Sequence, residues 1–89
     1  MINRTVEIVN KLGLHARAAS KFVKTASGFA SEITMCKGSR SANGKSIMGV
    51  MMLAASRGSM LALTADGPDE EQAMAALEQL VAERFGEAE

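Results

Sequence analysis

The single histidine of the chain, His15, and the arginine that follows two residues later form the pair with the clearest chemical potential. They lie where a loop after a strand becomes a helix, and the free N–H groups and positive dipole end of such a start suit an anion. The guanidinium of Arg17 matches the oxygens of a phosphate. Because a neutral imidazole is nucleophilic near neutral pH, the pair predicts a phosphoryl group carried on His15.

Phosphoryl transfer depends mainly on in-line positioning and charge stabilisation, so a shallow surface site suffices. One histidine and one cysteine make no metal site, and we expect neither a metal nor a cofactor. The competing interpretation of His15 is a residue that only caps the helix or meets solvent, which on placement alone is the commoner role. The sequence pattern by itself leaves both interpretations open.

Three basic residues, Arg17, Lys21 and Lys24, follow a helical spacing of four and then three residues. They therefore form one face of the predicted helix, opposite its apolar face, and we call them the basic stripe. One interpretation is an ordinary solvated face. The other is a docking surface for acidic partners that begins beside His15.

A short predicted helix over residues 47–53 is apolar on both sides. Val50 and Leu53 point one way, whereas Ile47, Met48 and Met51 point the other, and we call these three residues the α2 patch. A two-turn helix in a thin domain seldom buries both sides, so part of this patch should be exposed, although filling of the core is the alternative. Flexible methionines suit a surface that fits several partners.

Ser46 precedes the short helix and has two compatible roles. As an N-cap it would contribute about 1 kcal/mol to the helix. As a hydroxyl beside an apolar docking patch, it is also a place where a phosphate would add negative charge and disturb association. Cys36 lies on the strand face opposite Ile33 and Met35 and has no basic neighbour in sequence, so no function is assigned to it.

The elements that must position these residues follow from periodicity and turn residues. The predicted strands are 4–9, 31–37, 40–43 and 60–66, and the predicted helices are 16–27, 47–53 and 68–85. The order is βαββαβα, and every strand has one apolar and one polar face. We therefore expect an α+β fold: an open-faced β-sandwich with a four-stranded antiparallel sheet and three helices on one face.

The composition sets the class of the protein. Residues 1–89 suffice for a single domain with one thin core. Ten basic and ten acidic residues cancel, and Trp and Tyr are absent, which argues against binding of nucleic acid or a membrane surface through bulk charge or stacking. The single cysteine and an N-terminus without an apolar signal core predict a cytoplasmic protein.

Two motifs together resemble the HPr family, the histidine-containing phosphocarriers of the bacterial phosphotransferase system. Residues 13–19, GLHARAA, are similar to the active-site signature of the family, and residues 44–51, GKSIMGVM, are similar to its regulatory-serine signature. The resemblance covers essentially the whole chain. Either motif alone is moderately specific, and the pair on a βαββαβα pattern of this length is highly specific.

The resemblance implies that enzyme I phosphorylates His15 on Nδ1, that the group passes to enzyme IIA-type proteins, and that Arg17 assists at the phosphate. It also implies that Ser46 matches the site of an HPr kinase/phosphorylase and that the α2 patch matches the docking surface. The expected partner contacts further include Ala16, Lys21 and Lys24. We expect a monomer that is an intermediate in phosphoryl transfer rather than a stand-alone enzyme.

One position departs from the family pattern. Sugar-transport members usually have proline directly after the arginine, whereas this chain has Ala18, as the nitrogen-related NPr branch and some proteobacterial members do. The branch therefore stays open. Two other functions also remain to be weighed: an interaction module that signals mainly through Ser46 phosphorylation, and a ferredoxin-like domain that binds a small ligand. The presence of His15 argues against the first, and the second does not require His-Ala-Arg at a helix start.

Overall fold

The computed structural model describes residues 1–89 and contains the predicted order of elements. The four strands are β1 (Ile2–Glu7), β2 (Glu32–Lys37), β3 (Arg40–Asn43) and β4 (Met60–Asp66). The three helices are α1 (Ala16–Ser27), α2 (Ile47–Met52) and α3 (Glu70–Ala82), and a 3-10 turn at Arg84–Gly86 follows α3. The βαββαβα prediction is therefore confirmed.

The strands form one antiparallel sheet in the order β1-β4-β2-β3. Val6 pairs with Leu61, and Met35 pairs with Leu63, so apolar side chains of neighbouring strands share one face. The helices cover that face, and the opposite face, with Thr5 and Thr34, stays open. This is the predicted open-faced sandwich, because alternation along each strand supplies one apolar face only.

Twenty buried apolar residues form one contiguous core between the sheet and the helices. Phe22 of α1 and Leu77 of α3 are fully buried and pack with Leu61 and Leu63 of the central strand β4. Packing on this core fixes where α1 begins, and its first residue follows His15 directly. None of the helices combines the length and the apolar run that crossing a bilayer would take.

Three predicted boundaries differ from the structure at the N-terminal ends of elements, the smallest being β2, which begins at Glu32 rather than at 31. β1 is Ile2–Glu7 rather than 4–9, although Val6 and Ile8 still share the core side. α3 begins at Glu70 rather than at 68, and the side chain of Asp69 does not cap it. Instead the Asp69 carboxylate accepts hydrogen bonds from the Ala30 and Ser31 amides and, at 2.5 Å, from the Ser31 hydroxyl. The tertiary contact therefore outcompetes the local cap.

Two C-terminal ends of helices also differ: α2 ends at Met52 rather than at 53, and α3, which was predicted to reach 85, ends at Ala82. Arg84 and Phe85 have φ of 58° and 55°, and Gly86 has φ of 79°. These left-handed residues reverse the chain, bury Phe85 in the core and direct the last residues back across the molecule. We call residues 83–89 the C-terminal segment, and the reversal brings it to the start of α1.

Candidate functional site

His15 is the N-cap residue of α1. Its backbone is extended, with φ of −72° and ψ of 178°, and its Nδ1 accepts a hydrogen bond from the Arg17 amide at 3.3 Å. This bond is longer than the usual 2.9 Å and therefore weak, so it leaves the Nδ1 lone pair accessible. The side chain is 29% exposed. The predicted position at an amide-rich helix start is thus the observed one.

The loop before His15 is fixed by its backbone. The Leu14 amide donates to the Ala55 carbonyl at 2.8 Å, and the Leu14 side chain is buried. Gly13 has φ of 68°, and a Cβ there would lie 2.5 Å from the Ala55 oxygen. Only glycine combines this conformation with so close an approach. The loop is therefore built to hold the imidazole at one place above the helix end.

The C-terminal segment supplies two contacts to the loop and the imidazole. The Glu87 carboxylate accepts from His15 Nε2 through Oε2, and its Oε1 accepts from Asn10 Nδ2 at 2.9 Å. Asn10 is fully buried, and the same nitrogen also donates to the Gly13 carbonyl at 2.8 Å. The segment is further anchored where the Lys11 amide donates to the Glu89 carbonyl. The imidazole is therefore held by contacts at both ring nitrogens.

Glu87 is ionised over the physiological range. The hydrogen bond from Asn10 lowers the pKa of this carboxyl below its usual value of 4.5, against the opposing effect of burial, and the bond to His15 and the charge of nearby Arg17 add to the lowering. An ionised carboxylate can only accept hydrogen bonds. The proton between Glu87 and the imidazole therefore belongs to the ring.

The basic stripe lies on the solvent side of α1, as its spacing predicts. Arg17, Lys21 and Lys24 are all exposed. Lys21 Nζ donates to the Phe85 carbonyl at 2.7 Å, which ties α1 to the C-terminal segment. An open depression is lined by His15, Arg17 and Lys21 together with residues of the C-terminal segment, among them Glu87 and Glu89. Its basic side chains, Arg17 and Lys21, can pair with an anionic group presented by another protein.

The α2 patch is exposed, and the interpretation of it as core filling is wrong. Val50 and Leu53 are buried, whereas the three residues of the patch are exposed: Ile47 by 42%, Met48 by 68% and Met51 by 37%. Met52 of the same helix is also 68% exposed. α2 packs against α1, so the patch and the stripe lie on adjacent helices.

Ser46 caps α2 as predicted. Its hydroxyl accepts from the Gly49 amide at 3.1 Å, and the residue is half-buried. The geometry agrees with the cap role on its own and is compatible with a modified hydroxyl, because the residue is not fully enclosed.

Sequence reasoning missed Asn10 and Glu87. Glu87 is 72 positions from His15, and the contact depends on the left-handed reversal after α3, for which the sequence has only Gly86 as a signal. Asn10 stands in a loop where an exposed turn residue is the ordinary expectation. It is instead fully buried, with its amide bonded to the Gly13 carbonyl and to Glu87.

The comparisons with known proteins agree with this fold. The family model described as "PTS HPr component phosphorylation site" matches residues 2–83. The phosphocarrier protein HPr of Neisseria meningitidis is 54% identical over 89 residues, which is all of both chains. The match includes both the first-turn segment with His15 and the segment with Ser46.

Solved structures give the same result. HPr from Thermoanaerobacter tengcongensis is 49% identical, covers all of both chains and superposes with a TM-score of 0.96. A dimer of HPr from the same organism is 50% identical, with 98% of this chain and 100% of that chain covered and a TM-score of 0.79. Because that relative is a dimer, the monomer predicted here stays a prediction. With a family model over most of its length and full-length relatives of this identity, the chain belongs to the HPr family of phosphocarrier proteins of the phosphotransferase system.

Proposed function

We propose that the chain accepts a phosphoryl group on His15 Nδ1 from phosphorylated enzyme I and passes it to enzyme IIA-type proteins. The Nδ1 lone pair forms the new bond to phosphorus, while the bond between phosphorus and the donor atom of enzyme I breaks and its electron pair stays with the donor. Onward transfer is the same exchange with His15 as the donor. We propose that the transfer needs no metal or cofactor on this chain and that it takes place in the cytoplasm.

The observation that carries the proposal is the state of the imidazole. His15 is partly exposed, its Nδ1 points to the start of α1, and its only partner at that nitrogen is the weak bond from the Arg17 amide. A phosphoryl group on Nδ1 would meet the free amides of the first turn and the positive dipole end. Arg17 lines the same depression as His15, and its guanidinium would pair with phosphate oxygens.

A direct experiment tests this function. The full chain is incubated with enzyme I and phosphoenolpyruvate and analysed by intact-mass spectrometry. We expect the gain of one phosphoryl group, which is stable in base and lost in acid, as a phosphoramidate on nitrogen is. Addition of an enzyme IIA domain should then remove the group from this chain. No mass gain, or a group that survives acid, would contradict the proposal.

Charge on the basic stripe should speed association with enzyme I. Lys24 is the residue to substitute, because Lys21 also anchors the C-terminal segment and a change there would alter more than charge. We expect Lys24→Glu to lower the association rate about fivefold at low salt and to flatten its salt dependence, since steering falls with ionic strength. Stopped-flow measurement at several salt concentrations checks this. Lys24→Arg keeps the charge and should keep the rate; equal rates for the Glu variant would show that the stripe only meets solvent.

Charge at Ser46 should weaken docking without unfolding the protein. Asp also caps helices well, so Ser46→Asp should melt within a few degrees of the unmodified chain. The carboxylate adds charge where a partner must displace water from the α2 patch, and we expect enzyme I to bind about 1–2 kcal/mol more weakly. Isothermal titration calorimetry measures the change. An HPr kinase/phosphorylase acting on Ser46 would then regulate the chain in the same way.

The α2 patch has its own control in that experiment. Met48→Ala should weaken binding of enzyme I, whereas Met60→Ala, which changes a methionine 55% exposed on β4, should not. Full affinity in Ser46→Asp and Met48→Ala would leave Ser46 as a cap and the patch as idle surface.

A further inference from the structure

We propose that Glu87, anchored by the buried Asn10, is a positioning residue that keeps the ring proton of His15 on Nε2 and so leaves Nδ1 as the free nucleophile. The consequence for transfer rates rests on the proposed function. The statement about the ring proton does not, because it concerns the unphosphorylated chain.

The direction of every hydrogen bond in this group follows from its two ends. At one end the Gly13 carbonyl can only accept, so the Asn10 atom 2.8 Å from it is the Nδ2 donor. The other Nδ2 hydrogen points to Glu87 Oε1 at 2.9 Å. At the opposite end the Arg17 amide can only donate, so His15 Nδ1 must carry a lone pair. A neutral imidazole that accepts at Nδ1 carries its proton on Nε2.

The Glu87 carboxylate requires the same ring state independently. It is ionised, because the Asn10 hydrogen bond lowers its pKa, and it faces Nε2, so that nitrogen must donate. The Arg17 amide can only donate and the Glu87 carboxylate can only accept, so together they specify the tautomer with the proton on Nε2. A reversed Asn10 amide would place its oxygen against two groups that can only accept, the Gly13 carbonyl and the Glu87 carboxylate. In the observed orientation Asn10 Oδ1 is buried without a partner, a cost that the two Nδ2 bonds offset.

The carboxylate also has a role after transfer. A ring that carries phosphoryl on Nδ1 and a proton on Nε2 bears a positive charge, which Glu87 would stabilise at hydrogen-bond distance. Retention of the Nε2 proton keeps the ring a good leaving group for the next transfer. One contact therefore serves both acceptance and donation of the group.

The substitution Glu87→Gln should move the ring proton from Nε2 to Nδ1, rather than only weaken the hydrogen bond at Nε2. Asn10 Nδ2 is a donor, so Glu87→Gln would present its carbonyl oxygen to Asn10 and its NH₂ group to His15 Nε2. A donor at Nε2 favours the tautomer protonated on Nδ1, which is not nucleophilic at that atom. In Glu87→Ala, water can accept from Nε2, and the ring proton has no strong preference imposed on it.

The experiment compares nitrogen-15 NMR spectra of the single imidazole in the full chain, recorded where the ring is neutral. We expect a protonated Nε2 in the unmodified chain and a shift towards protonated Nδ1 in Glu87→Gln. The rate of phosphoryl acceptance should fall about 10- to 100-fold in Glu87→Gln, the effect of one hydrogen bond to a charged group, and less in Glu87→Ala. Glu83→Gln removes an exposed carboxylate from the same segment, one that bonds only Gln79, and should change neither spectrum nor rate.

A larger loss of rate in Glu87→Gln than in Glu87→Ala distinguishes positioning of the ring proton from simple anchoring of the C-terminal segment. If Glu87 only anchored the C-terminal segment, Glu87→Ala, which loses every contact, would be the slower variant and neither spectrum would change. Either an unchanged tautomer in Glu87→Gln or that reversed order overturns the inference. Failure of the unmodified chain to accept phosphate would overturn the proposed function instead, and the tautomer comparison would still decide this inference.

Discussion

His15→Ala is expected to accept no acid-labile phosphate from enzyme I while it keeps its fold. The histidine is the only imidazole in the chain, so no second nitrogen of this kind can replace it. Its structural role is limited to a weak cap of α1 and one bond to Glu87, and a lost cap costs about 1 kcal/mol. Intact-mass spectrometry after incubation with enzyme I and phosphoenolpyruvate measures the loss.

The matched control is Ser20→Ala, which changes an exposed residue of the same helix and should reach the unmodified level of phosphorylation. Circular dichroism should show cooperative melting for both variants, with the Tm of His15→Ala lower by about 4–8 °C because of the lost cap. Phosphorylation of His15→Ala to the unmodified level would place the acceptor elsewhere and would refute the assignment.

Gly13→Ala should be strongly destabilising, by about 2–4 kcal/mol. The left-handed φ of 68° costs a residue with a side chain about 1–2 kcal/mol, and a methyl group 2.5 Å from the Ala55 oxygen and 2.8 Å from the Ser56 Cα adds the cost of overpacking. Because these obstacles are backbone atoms, the loop that carries His15 must move. Urea unfolding gives the free energy directly.

A substitution at Gly38 separates the cost of the left-handed backbone from the cost of overpacking. Gly38 has φ of 60°, and a Cβ there would meet nothing within 4 Å, so Gly38→Ala should cost only about 1–2 kcal/mol. Equal losses in the two variants would mean that the contact with residues 55–56 does not constrain the loop.

Local pattern was sufficient for most of the fold. The bounds of α1 were predicted without error, because an apolar repeat of three and four residues begins directly after a residue able to cap and ends before Gly28. β3 was predicted as 40–43 because turn residues enclose it on both sides. The exposure of the α2 patch also followed from geometry, since Val50 and Leu53 cannot face the core together with Ile47 and Met48.

Contacts between distant residues were the part that could not be predicted. The Asp69 carboxylate bonds the amides of Ala30 and Ser31 rather than those of its own helix, a competition that only the folded chain decides. The path of the C-terminal segment depends on left-handed conformations at Arg84 and Phe85, which neither residue type favours. Consequently the surroundings of Nδ1 could be predicted from the motif, whereas those of Nε2 could not.

The measurement closest to the central claim is the position of the phosphoryl group on the ring. The chain labelled with nitrogen-15 is phosphorylated by enzyme I, and the imidazole is observed by nitrogen and phosphorus NMR, with no ambiguity because His15 is the only histidine. We predict phosphorus coupling at Nδ1 and a proton retained on Nε2. Phosphorus on Nε2, or an imidazole that stays unmodified while the protein gains phosphate, would contradict the mechanism.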